Sequence, residues 1–248
     1  MIDLHSHILP GIDDGAQTID DSRELAMRAA ADGIGTIAAT PHVRTDYPTT
    51  PEQMEQGVAL LRADFAREAI PVEVVEGGEV DLEALGRLDP EEIRRFTLGQ
   101  TGRYLLVECP YYGWPPGLEQ RLFDLVVTGV TPIFAHPERN SVVQASPARL
   151  EALVEGGSLV QVTAASLDGR IGRRAEQTAT KLVRDGLAHI LASDAHTPEI
   201  RAVGLAEAVR AVGNRELARY LTEDAPAAIV AGEDVPPRPA KRRRLFGR

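Results

Sequence analysis

Short runs of β-branched and other apolar residues alternate along the chain with longer stretches whose apolar positions recur three and four apart. The first pattern makes a buried strand and the second an amphipathic helix. Strands are predicted at 1–5, 36–40, 72–77, 104–108, 131–135, 159–163 and 189–193. Helices are predicted between them at 20–31, 51–69, 118–128, 147–155, 173–184 and 199–212. Asp21 and Pro147 stand where helices should start, and Gly33, Gly129, Gly156 and Gly186 where they should stop.

About seven βα repeats, with no long Pro-, Gly- or Ser-rich linker, predict one α/β domain over 1–235. A closed or nearly closed barrel is expected rather than a doubly wound open sheet. The chain has no Gly-x-Gly-x-x-Gly or Walker loop, which weakens the nucleotide-binding alternative further. Six of the seven predicted strands end in, or run straight into, a His, Asp or Glu. The carboxyl ends of barrel strands share one rim, so these chain-distant residues should converge.

His5 and His7 lie two apart at a strand end, so both imidazoles share a face and can reach one ion. A surface His-x-His pair is common, but its companions change the balance. His42 follows a strand in Thr-Pro-His, His136 does so in Ala-His-Pro, and His196 closes Ser-Asp-Ala-His two residues after Asp194. Five of the six histidines thus stand at strand ends, whereas structural histidines would scatter. His189 begins its strand, on the opposite rim, and reads as a packed or surface histidine.

Carboxylates extend the set. Glu79 follows the third strand after Gly77-Gly78, where glycines would let backbone and metal approach closely. Glu76, inside that strand, competes with it, and alternation alone leaves the choice open. Glu108 ends a mainly apolar run, and a buried carboxylate needs a partner or a metal. Asp14 is the weakest member, because it and Asp13 are ordinary turn residues.

Imidazole and carboxylate donors without thiolate suit Mn²⁺, Zn²⁺ or Fe²⁺, and the set is too large for one tetrahedral ion. Two or three ions sharing a carboxylate would polarise a phosphoryl oxygen and acidify a bound water. Arg139 in His-Pro-Glu-Arg and Arg201, five residues past His196, are candidates to clamp phosphate oxygens. Each reads equally well alone as a helix-surface arginine. Cys109 has no Cys-x5-Arg phosphatase loop, and there is no Gly-x-Ser-x-Gly elbow. Neither lysine, Lys181 or Lys241, ends a strand, which excludes a lysine bridge between metals. Cys109, out of phase with Glu108, should pack as a small hydrophobe.

A formal charge of −10 argues against general nucleic-acid binding, and 4% aromatics supply few stacking platforms. The segment 236–248 is Pro-rich and carries the basic run Lys241–Arg244. It is expected to be a solvated, disordered tail, with contact to an anionic partner or membrane surface as the functional alternative. A single cysteine, no apolar run near ~20 residues and no signal-peptide core lead to an expected cytoplasmic location.

The blocks His5-Ser-His7-Ile-Leu-Pro-Gly-Ile-Asp-Asp14-Gly, Thr40-Pro-His42, Gly78-Glu79-Val, His136-Pro-Glu-Arg139 and Ser193-Asp194-Ala-His196 resemble the polymerase and histidinol phosphatase (PHP) superfamily over residues 1 to about 225. More narrowly they resemble the bacterial manganese-dependent tyrosine phosphatases of the CpsB/YwqE type. The opening block is the most specific of these; many other superfamily members carry a histidine where this chain has Asp14. The resemblance implies a distorted (β/α)7 barrel holding a trinuclear centre. One metal would take His5, His7, Glu79 and Asp194; a second would share Glu79 and add Glu108 and His136; a third would use Asp14, His42 and His196. It favours Glu79 over Glu76 and places Arg139 and Arg201 on the substrate phosphate. Asp194 or a metal-linked water would assist the leaving phenolate. Mn²⁺ is the first expectation, with Fe²⁺ or Zn²⁺ as alternatives. The implied substrate is a phosphotyrosine protein, such as a bacterial tyrosine kinase controlling capsule or exopolysaccharide synthesis. Two rivals accompany this reading: a small-molecule phosphatase such as one for histidinol phosphate, and a non-enzymatic metal-bound scaffold whose basic tail recruits a partner.

Overall fold

The computed structural model describes residues 1–197 and 203–240. Its strands are β1 (Ile2–Ser6), β2 (Thr36–Ala39), β3 (His42–Val43), β4 (Glu73–Glu76), β5 (Glu79–Val80), β6 (Tyr104–Glu108), β7 (Thr131–Ala135), β8 (Leu159–Thr163) and β9 (Ile190–Ala192). All pair in parallel, in the orders β1-β2-β4 and β3-β5-β6-β7-β8-β9.

These are the seven predicted strands with two of them broken. Thr40-Pro41 separates β2 from β3, and Pro41 has no N–H to continue a ladder. Gly77-Gly78 separates β4 from β5, and the Glu79 amide donates to the Pro41 carbonyl at 3.0 Å across the two breaks. A parallel bridge between Ser6 and Ala195 joins the last strand to the first. His7 N donates to Ala195 O at 2.8 Å and Asp194 N to His5 O at 2.9 Å. The ring is therefore closed at the carboxyl end of the strands. At the other end it opens between β4 and β6, and the turn Leu98–Gln100 and the helix Ala225–Ala231 pack into the gap. A side chain at Gly99 would meet the Val230 carbonyl at 2.6 Å, so this floor depends on glycine there. The α/β barrel is open at its base and closed at its mouth.

Two apolar layers follow from strand alternation. Leu4, Ala38, Val75, Leu106, Ile133 and Ile190 face the barrel interior, sealed below by Leu98, Tyr104 and Ile229. Ile37, Val74, Val107, Phe134 and Leu191 face the surrounding helices. Cys109 belongs to that outer layer, where burial pushes its thiol well up.

The long helices match the pattern. Ile19–Ala31 starts earlier than predicted, because Thr18 is the cap and Asp21 the returning acid of a capping box. Pro51–Arg67 begins on Thr50 and Gln53 in the same way. The 147–155 helix opens as a 3-10 turn, Pro147–Leu150, before Glu151–Glu155. Of the predicted 199–212 helix, Ala206–Val212 is described and residues 198–202 lie outside the described residues. The pattern names no helix for Leu82–Leu85 and Pro90–Arg95, which are too short to show a period.

Residues 233–240 form no helix or strand, yet they are held against the floor. Tyr104 donates its hydroxyl to Glu233 O at 2.7 Å. Arg238, inside the segment expected as tail, donates to the carbonyls of Val183 and Ala188. The basic run 241–244 lies outside the described residues. Among the described residues no helix is long and apolar enough to cross a membrane.

Candidate metal centre

Alternation carries most of the polar residues to the mouth. Val75 faces inward, so Glu79 does too, while Glu76 turns out to a bidentate pair with Arg62 at 2.6 and 2.9 Å. Tyr104 and Leu106 face inward, and Glu108 continues that row. Ile190 does the same for Asp194 and His196. The glycines before Glu79 serve packing rather than metal approach: a Cβ at Gly78 would meet Phe96 at 2.6 Å, and one at Gly77 would meet Leu98 at 2.9 Å.

Two histidines reach the mouth against alternation. In β1, Asp3 and Ser6 pair with Ile37 and Ala39, so β1 carries one residue too many. That bulge lets Leu4 and His5 both serve the interior. In β7, Ile133 and Ala135 face inward, so His136 should face outward. Its left-handed backbone, φ 37 and ψ 44, re-aims the ring to Glu79. Asp194 also has positive φ, 54°, so among the described residues two of the four non-glycine residues in that region belong to the site.

The donors converge tightly. His5 Nε2 lies 3.3 Å from His7 Nε2, from Glu79 Oε2 and from Asp194 Oδ1. His7 Nε2 lies 3.4 Å from the same two oxygens. Five of the mutual distances among these four donors are thus 3.3–3.4 Å, and His5, His7 and Asp194 are close enough to share one ion. His136 Nε2 is 2.8 Å from Glu79 Oε1, and His42 Nδ1 is 3.0 Å from Glu79 Oε2 and 3.9 Å from Glu108 Oε2. His42 Nε2 and His196 Nε2 stand 3.4 and 3.5 Å from Asp14 Oδ1, the most exposed oxygen of the set. Four groupings of donors are close enough to hold ions, and together they use all nine residues. Glu79 Oε2 and His42 Nδ1 are buried and near one another, but neither makes a hydrogen bond. Such lone pairs fit a cation between them rather than a shared proton.

The electrostatics agree. Burial pushes the Glu79 carboxyl up, but His5 and His42 outweigh it and hold the group well below the usual carboxylate range. Glu108 moves the other way, raised by burial and then by the charge of Glu79. Burial pulls His5 and His7 down, yet Glu79 and Asp194 around the first and Asp13 beside the second leave both raised. The field that draws protons onto these rings will draw a cation in their place.

Burial raises the Asp194 carboxyl, but His5 and Arg139 win and hold it well below its ordinary value. Arg139 is itself committed, with Nη1 2.6 Å from Asp194 Oδ2 and Nη2 donating to Thr163 Oγ1 at 3.0 Å. It stands at the edge of the donor cluster, not on an exposed helix surface. Arg201 lies outside the described residues. His189 is at the other end, where its Nδ1 accepts from Val160 N at 3.1 Å.

Three supporting residues escaped the sequence reading. Asp13 accepts from His7 Nδ1 at 2.7 Å and from the backbone amides of His42 and Gly15, both at 2.9 Å, tying three segments together. The proton it holds on Nδ1 leaves His7 Nε2 for a ligand role. Burial alone would raise the Asp13 carboxyl; His7 and these donors hold it at about 2. Gln161 Oε1 sits beneath the centre, 3.1 Å from His5 Nδ1, and accepts from His136 N at 3.3 Å. Arg44 reaches Glu108 Oε1 at 3.3 Å from the mouth. Asp13 had a signal in its position between His7 and Asp14; the other two had none.

A model of the family described as capsular polysaccharide synthesis, CpsB/CapC, matches residues 1–230. The chain belongs to the CpsB/CapC family. It is 37% identical to the tyrosine-protein phosphatase YwqE of Bacillus subtilis, covering 100% of this chain and 99% of that protein. It is 27% identical to the tyrosine-protein phosphatase CpsB of Streptococcus pneumoniae, over 93% and 98% of the two chains. Among solved structures, one described for YwqE and CpsB as metal-dependent tyrosine phosphatases superposes with a TM-score of 0.86 at 34% identity, covering 98% of this chain and 100% of that one. A Listeria monocytogenes lactonase, at 11% identity and a TM-score of 0.50, shares the fold alone with this CpsB/CapC member.

Proposed function

We propose that this chain is a metal-dependent phosphatase that hydrolyses phosphotyrosine in proteins and acts in capsule or exopolysaccharide synthesis. The observation that carries the reading is the convergence of five imidazoles and four carboxylates on one buried rim, with Arg139 at its edge. Similarity to relatives named as tyrosine-protein phosphatases supports the substrate.

His5, His7, Glu79 and Asp194 would hold one ion, Glu79, Glu108 and His136 a second, and Asp14, His42 and His196 a third. The donors are nitrogen and oxygen only, so Mn²⁺ fits, and Fe²⁺ and Zn²⁺ fit the same set. When bound, such ions supply Lewis acidity toward phosphoryl oxygens and a water acidic enough to attack at neutral pH. The chain's own residues then do the positioning. Glu79 spans the cluster, with one oxygen toward His136 and the other toward His5, His7 and His42. Arg139, oriented by Asp194 and Thr163, presents its guanidinium where phosphate oxygens would gather charge, and Arg201 would join it. A phenolate is a good leaving group, so no side-chain acid is required.

The test is phosphate release from a phosphotyrosyl peptide by metal-stripped protein reconstituted with each ion in turn. Release with Mn²⁺, and little from histidinol phosphate under the same conditions, is the expected result. Faster release from histidinol phosphate would make the chain a small-molecule phosphatase. No release with any ion would overturn the enzymatic reading.

A further inference from the structure

His42 and His136 approach opposite oxygens of Glu79, and each carries a tyrosine ring laid over it. Tyr47 stacks on His42 with centroids 5.9 Å apart and planes 17° apart. Tyr111 stacks on His136 at 5.7 Å and 4°. Each tyrosine also meets an arginine. The Arg44 guanidinium lies 5.2 Å from the Tyr47 centroid, and Arg139 Nη1 is 3.5 Å from the Tyr111 hydroxyl. Two His–Tyr–Arg arms, one from the loop after β3 and one joining the loops after β6 and β7, therefore flank the centre.

Neither ring is core filling. Tyr111 is 39% exposed and Tyr47 is half-buried. The loop carrying Tyr111 is nonetheless fixed: Asn140 Nδ2 donates to Pro110 O at 2.5 Å and Gly113 O at 2.9 Å, and Ser141 N donates to Tyr111 O at 3.1 Å. The arm with Tyr47 is closed by paired backbone bonds between Arg44 and Tyr47 at 3.0 and 3.1 Å. Partly exposed aromatics held in place ahead of any ligand lose little freedom when one stacks on them.

Resting on the phosphatase reading, we propose that Tyr47 and Tyr111 are specificity determinants, walling a slot that selects aromatic phosphate esters over alkyl ones. A phosphate drawn to the donor cluster and its arginines brings its ester group between the two arms. An aryl group there gains offset-stacked or edge-to-face contact with the rings, whereas an alkyl group has no π-face to offer.

The experiment measures binding of phenylphosphonate and methylphosphonate by calorimetry to the full chain, loaded with one divalent metal throughout. Neither ligand carries a scissile ester, so the ratio of their affinities reports the ring alone. The wild type should prefer phenylphosphonate. Y47A and Y111A should each cut that preference roughly three- to tenfold while methylphosphonate affinity moves much less. Y47F and Y111F, which keep the rings, should retain it. A preference that survives both alanine variants overturns the proposal. So does parallel weakening of both ligands with a fall in metal affinity, since rings that merely brace imidazoles would behave that way. A chain that shows the expected ratios yet releases no phosphate from any ester would sink the phosphatase reading and leave the slot in place.

Discussion

The two ends of the barrel solve opposite problems. At the floor the strands part, and Leu98, Tyr104 and Ile229 close the gap with apolar volume and one hydroxyl bond to Glu233. At the mouth the ring closes fully, and the space is filled with buried imidazoles and carboxylates. Burying those groups is unfavourable unless they are paired or liganded, so the mouth contributes little folding energy of its own. The comparison teaches a division of labour: the floor and the outer layer hold the fold, leaving the mouth to be arranged for chemistry.

Three measurements would break or sharpen that division. The largest effect is expected at the mouth. His42→Ala should lower metal-dependent phosphate release by on the order of 10³-fold, while the unfolding free energy of the metal-free chain in urea changes by under about 1 kcal/mol. A variant that unfolds would show the mouth to be structural after all. Second, Leu98→Ala at the floor should cost about 2–5 kcal/mol of stability by urea denaturation and leave the metal affinity of the folded fraction intact. Loss of metal binding in folded Leu98→Ala would mean that the two ends are coupled.

The third effect concerns pH. His189 lies toward the floor, and burial, then the charge of Arg238, lower its pKa from 6.5 to about 4. Between those values the unfolded chain binds the proton and the folded chain does not, so stability falls as pH drops through this window. Going from about pH 7 to about pH 5 should cost the wild type about 2 kcal/mol more than His189→Asn, which keeps an acceptor for Val160 N. Equal pH slopes for the two proteins would remove His189 from the account.

Much of this was legible in the chain. Periodicity marked seven strands and the long helices, and the strand-end rule picked out candidate donors that the fold brings together at the mouth. What stayed hidden depended on backbone detail. The Gly77-Gly78 break and Pro41 split two strands without changing their place in the ring. Alternation alone left Glu76 and Glu79 equivalent; the resemblance favoured Glu79, and Val75 shows that its face is the inward one. Gln161 serves the site as a neutral side chain in a β-branched run, so no charge pattern marked it. Arg139 looked like a reagent held ready for phosphate, whereas its tie to Asp194 makes it part of the frame as well. The helices past Arg215 are short pieces joined by a π turn, where no single period persists.

The extra residue in β1 has one more consequence. Leu4 and His5 can both face inward because the strand is one residue longer than its partner there, not because of their own chemistry. Spacing is thus as much a part of the frame as residue identity. A chain with the same nine donors, but one residue fewer between Ile2 and His5, would regain a regular ladder in which His5, set opposite Ala38, stays inward while the layer beneath it loses Leu4. Alignments that score ligands and ignore such single-residue length changes would count that chain as unchanged when the packing under its centre had gone.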